Sequence, residues 1–85
     1  MNSADIIAKY APVKYGYFAH HTDMPELAQM LGSGTVTLEV DPEYPMLYGV
    51  VWIDGEDIEI LAGSDVSAAD AVRDALNSWS VKEAS

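Results

Sequence analysis

The stretch Asp54-Gly55-Glu56-Asp57-Ile58-Glu59 sets four carboxylates within six residues, the densest group of chemically capable side chains in the chain. Clustered carboxylates do one of three things. They catalyse, if a cleft raises one pKa and leaves its neighbour ionised. They hold a hard cation such as calcium. Or they recognise lysine and arginine on another molecule. Catalysis fits poorly, because a chain of 85 residues with short loops offers little concave surface. Nucleophile motifs are also absent: there is no G-x-S-x-G, no cysteine and no phosphate-binding loop. Gly32-Ser33-Gly34 has no lysine beside it and reads as a helix stop. Calcium fits poorly too, since the acids do not follow the alternating spacing of an EF-hand loop. His20 and His21 precede Asp23, but neighbours on an extended segment point to opposite faces. With no third histidine and no cysteine, no zinc set can be completed. The expectation is a non-enzymatic chain with no metal and no cofactor, whose acids serve recognition.

The elements that must position these acids follow from pattern and punctuation. Ser3 is placed to cap a helix over 4–11, which Pro12 ends. Residues 13–19 offer a strand, with Tyr15 and Tyr17 on one face. Asp23-Met24-Pro25-Glu26 reads as a helix start with Asp23 as cap; Met24, Leu27, Ala28 and Leu31 form its buried stripe. Thr35 to Val40 alternates as a half-buried strand. Met46 to Ile53 is apolar on both faces, as a central strand would be. Asp54-Gly55 is a hairpin signal, read as a type I′ turn returning into a strand over 57–62. Ser67 caps a last helix, with Val66 placed as a hydrophobic staple; Ala68, Val72, Ala75, Leu76 and Trp79 lie on one side, and the tail frays from Val81.

The fold expectation is α+β in the order α-β-α-β-β-β-α, one domain over 1–85. A three-stranded antiparallel meander, with 13–19 available as a fourth strand, carries its helices on one face. The α-β-β-β-α part resembles double-stranded-RNA-binding domains in element order alone. The basic residues that such domains use on phosphates are missing, so no function follows from it.

In the β-hairpin so read, Gly49, Val51, Ile53, Ile58 and Ile60 share one face, expected to be the core side. The other face carries Tyr48, Val50, Trp52, Asp57, Glu59 and Leu61, a mixture of aromatics and carboxylates. Aromatic anchors ringed by charge are what protein interfaces use. An equally available reading covers Trp52 with another element and leaves the acids as a solvated edge.

Charge narrows the partner. Fourteen acids against four bases give a formal net charge of −10. Residues 39–74 hold ten of those acids against Arg73 alone. Direct nucleic-acid binding and an anionic membrane surface are disfavoured, because both need lysine and arginine. The longest apolar run, 46–53, is too short to span a bilayer. No secretory leader is evident, and the lack of cysteine suits a reducing compartment, so a cytoplasmic location is expected. The expected partner is a basic protein surface, above all that of a nucleic-acid-binding protein. The chain would inhibit or regulate it, presenting carboxylates where phosphates would sit. Phage anti-defence proteins of the anti-CRISPR and anti-restriction kinds are analogous in size and charge. The residues expected to contact the partner are Tyr48, Trp52, Asp57 and Glu59, with Glu39, Asp54 and Glu56 around them and Asp70 and Asp74 extending the patch. The alternative is a scaffold domain that pairs with itself as a homodimer through the same face.

Overall fold

A computed structural model describes residues 2–13, 21–40 and 47–84, with 79–84 as backbone only. The element order is α1 (Ser3–Tyr10), β1 (His21–Asp23), α2 (Pro25–Leu31), β2 (Thr35–Val40), β3 (Tyr48–Asp54), β4 (Asp57–Ser64) and α3 (Ala68–Ala84). The fold is α+β, as the patterning implied. All four strands run antiparallel in the order β1-β2-β3-β4.

Helix starts differ from expectation in detail. Asn2, not Ser3, caps α1, its side-chain oxygen accepting from the Asp5 N–H at 2.9 Å. Asp23 does not cap α2, because it is already the last residue of β1, paired with Thr37. Met24 takes the cap position without a side-chain bond, and its own N–H donates to the Val36 carbonyl at 2.8 Å. Pro25 opens the helix, where a missing N–H is tolerated. Gly32 closes it with φ at +84°. On α3, Ser67 Oγ accepts from the Asp70 N–H at 3.1 Å, the expected cap. Val66 is 79% exposed, so it makes no staple. The helix continues to Ala84 instead of fraying from Val81.

The fourth described strand is His21–Asp23, which pairs with β2. The expected strand over 13–19 falls, apart from Val13, outside the described residues, as do His20 and Met46.

Which sheet face is buried matters most. Val36, Leu38 and Val40 of β2 point into the core, as their alternation implied. They lie opposite Trp52, Val50 and Tyr48 of β3, which therefore share that face. Tyr48 and Val50 are buried with Ile6, Tyr10, Met24 and Leu27, and with Ala68, Ala71, Val72, Ala75 and Leu76 of α3. The expected inside and outside of the hairpin are thus exchanged. Ile53, Ile58 and Ile60 are 38%, 70% and 54% exposed. The cause is the β2–β3 register: each β3 residue takes the face of its β2 partner, and Val40 stands opposite Tyr48.

The hairpin turn also shifts by one residue. Asp54 pairs with Asp57, so the two loop residues are Gly55 and Glu56. Gly55 has φ at +63° and, among the described residues, no non-glycine residue has a positive φ, so Glu56 does not, the pattern of a type II′ turn instead of type I′. Further along, Val50 faces Ala62 while Val51 faces Ile60, leaving Leu61 as the extra residue of a β-bulge.

Candidate protein-binding surface

Cross-strand pairing arranges the outer sheet face in three rows. Thr35, Ile53 and Ile58 form the first row. Asp23, Thr37, Val51 and Ile60 form the second. His21, Glu39, Gly49 and Gly63 form the third. Polar residues thus occupy the β1 and β2 side, and isoleucine and valine the β3 and β4 side. The helices lie on the opposite face, with α3 against β4 and β3 and α2 against β2. Among the described residues, no element covers the isoleucine stripe.

The carboxylates of the hairpin project differently. Asp54 and Asp57 lie opposite each other and, two residues on, Glu59 lies opposite Trp52. Alternation puts all three on the helix side, while Glu56 sits in the turn. Asp57, Glu56 and Glu59 are exposed; Asp54 is half-buried. β4 therefore shows isoleucine on one side and carboxylate on the other, at the edge of the sheet. Glu59 and its neighbour Ile60 also border a cleft of about 190 Å³, with Leu27, Met30, Leu61 and Ala75 among its other lining residues.

The nine residues expected to form one patch divide among five places. Tyr48 lies in the core and offers a partner almost nothing. Trp52 is half-buried, and its indole N–H donates to the Ser33 carbonyl at 2.9 Å. That contact gives Ser33 and Gly34 a role of their own beside the helix stop at Gly32. A Cβ on Gly34 would meet the Ile53 carbonyl oxygen at 2.5 Å and the indole nitrogen at 2.6 Å. Asp54 accepts from Ser33 Oγ at 2.9 Å, so it tethers the start of β2 to the end of β3. Glu39 is half-buried on the outer face of β2. Asp70 pairs with Arg73 at 2.7 Å on α3, and Asp74 is exposed on the same helix, across the molecule from the stripe. The group brought together is Asp54, Glu56, Asp57 and Glu59.

Ile53, Ile58 and Ile60 are the surface residues that sequence reasoning missed. The signal for them was the unambiguous buried face of β2, but the pairing that carries that face across to β3 could not be read. Among the described residues, no group of three histidine or acidic side chains is placed to hold a metal ion. No described helix is long and apolar enough to cross a membrane.

A separate polar cluster joins α1 to α2. The Tyr10 hydroxyl donates to Glu26 at 2.5 Å, and Lys9 Nζ lies 2.8 Å from the same carboxylate. Burial, then the hydrogen bond to Glu26, pushes the Tyr10 phenol up to about 12. Burial acts to raise Glu26, but the hydrogen bonds from Lys9 and Tyr10 outweigh it and hold the carboxyl below its usual range. This cluster closes a core boundary. No protein-family model, curated protein or solved structure matches the chain.

Proposed function

We propose that the chain is a non-catalytic binding module for a basic protein, docking through the β3–β4 hairpin and occupying a cationic surface that nucleic acid would otherwise take. The observation that carries this reading is the exposed stripe of Ile53, Ile58 and Ile60 beside the hairpin carboxylates, on a chain of net charge −10. An uncovered apolar stripe beside charge is the composition of a docking surface: burying the aliphatic area supplies affinity, and the acids select a basic partner. A solubility device would need no exposed isoleucines. The core positions of Tyr48 and half-buried Trp52 move the anchoring role from aromatics to the isoleucines.

The test is capture from a cell lysate with the chain as bait beside a variant carrying Asp57→Asn and Glu59→Gln. Basic proteins should be retained by the first, lost by the second, and released by roughly 0.5 M salt, where screening is short-ranged. Added nucleic acid should compete for them. Equal retention by bait and variant would remove the acids from the reading.

Self-association is the second reading, favoured by the place of β4 at the sheet edge with an apolar side. Sedimentation over a range of concentrations distinguishes it, because a module for a basic partner stays monomeric.

A further inference from the structure

The edge strand itself specifies more about the partner. In an antiparallel hairpin closed by a two-residue turn, the flanking pair exchanges backbone hydrogen bonds, and the pattern then alternates along the strand. Here that closing pair is Asp54 with Asp57. The N–H and C=O of Asp57 and Glu59 consequently point to β3, and those of Ile58 and Ile60 point away from the sheet. β4 is the outermost of the described strands, and no described element pairs with its other side. Its Ile58 and Ile60 side chains stand on the open face, and those of Asp57 and Glu59 on the other.

We propose that β4 accepts a fifth, antiparallel strand from the partner, and that this strand alternates apolar with basic residues. The reasoning rests on the basic-partner reading above and adds a geometry to it. A strand laid along β4 must match both faces at once, with period two. Its residues opposite Ile58 and Ile60 extend the apolar stripe. The residues between them meet Asp57 and, beside the contact it already makes within the chain, Glu59; lysine or arginine is complementary there and an acid is repelled. The stems of those basic residues lie near Leu27, Met30 and Leu61 at the mouth of the cleft, so aliphatic carbon meets aliphatic carbon while the charged head reaches carboxylate. A second copy of the chain matches poorly. Pairing two β4 strands about Glu59 sets like charges opposite each other, and pairing them about Ile60 sets Glu59 against Leu61. The Leu61 bulge interrupts the ladder, so the accepting stretch is Asp57 to Ile60.

The probe is a capped peptide of alternating valine and lysine, titrated into the intact protein at low salt and followed by amide NMR. Saturable binding should shift the Ile58 and Ile60 amide resonances and slow their hydrogen exchange. In antiparallel pairing the valine N–H groups face β4. Methylating the valine backbone nitrogens should therefore weaken binding by about tenfold or more, and methylating the lysine nitrogens should leave it unchanged. A valine–glutamate peptide should not bind. If both methylated peptides bind as well as the parent, strand addition is wrong while recognition of a basic partner stands. If the valine–lysine peptide does not bind at all, both fall. If Ile58 and Ile60 are already protected from exchange in a dimer of the free protein, a second copy owns the edge and the proposal is wrong.

Discussion

Tyr10, Lys9 and Glu26 show how single residues hold two short helices together. Neither α1 nor α2 is long enough to be stable alone, so each depends on tertiary contact. Tyr10 buries its ring in the core and brings its hydroxyl to the Glu26 carboxylate at the surface. The shifts make this contact pH-dependent in a defined direction. The folded state favours the neutral phenol, whose pKa rises from 10.0 to about 12. Its stabilisation is therefore complete below pH 10 and is lost as pH rises toward about 12. Glu26 acts oppositely: its lowered pKa gives stability present above the usual 4.5 and lost as pH falls. Tyr10→Phe should lower stability near neutral pH by about 1 kcal/mol. It should also flatten the alkaline decline relative to the wild type. Denaturant melts at several pH values between neutral and about 12 would show this as a wild-type-minus-variant difference that shrinks with rising pH. A constant difference would mean the hydroxyl contributes packing only.

At the scale of elements, the question is which face of the hairpin is the core. The β2–β3 register answers that Val36, Leu38 and Val50 are inside and Ile53, Ile58 and Ile60 outside. Leu38→Ala should then cost about 2–5 kcal/mol, the price of a cavity in a packed interior. Ile58→Thr and Ile60→Thr should each cost under about 1 kcal/mol, since only cross-strand contact is lost. Comparable losses at Ile58 and Leu38 would mean that the isoleucine face is buried, and the proposed docking surface would not exist. The same elements show what a sequence can and cannot disclose. The alternation of Thr35 to Val40, the stop at Gly32 and the spacing of Ala68, Val72, Ala75 and Leu76 each have one physical solution, and the structure has it. β3 has two solutions, because Tyr48, Val50 and Trp52 are as apolar as Val51 and Ile53. Choosing between them needs the partner of Val40, and a pairing between strands leaves no periodic trace in the sequence of either. Ile58 and Ile60 then mislead, because surface isoleucines imitate a core strand. His21–Asp23 is too short and too polar to show a strand pattern of its own, and gains its pairing from β2. The acidic hairpin tip was legible, since it needed only residues close in sequence; the stripe beside it was not.

At the scale of the whole molecule, net charge acts less than its distribution does. The described residues extend over 36 × 31 × 20 Å. Screening at physiological ionic strength confines each acid's repulsion to neighbours within about 8 Å, so distant acids hardly sense one another there. At low salt they do, and a charge of −10 strains the folded state. Salt should therefore act with opposite signs on two properties. Folding stability should rise as salt screens self-repulsion; if that screening is worth about 1 kcal/mol, the melting temperature rises by roughly 4–8 °C. Association with a basic partner should weaken over the same range, because its attraction is screened as well. A protein whose acidity serves solvation in a saline cell behaves differently: it would be unfolded at low salt and would gain structure steadily with KCl. Thermal melts and peptide titrations over one salt series separate these cases. A folded chain at low salt, with stability rising while binding falls, is expected if the hairpin acids address another molecule. Loss of the folded state at low salt would assign them to the chain's own hydration, and would leave the isoleucine stripe without the charge that selects its partner.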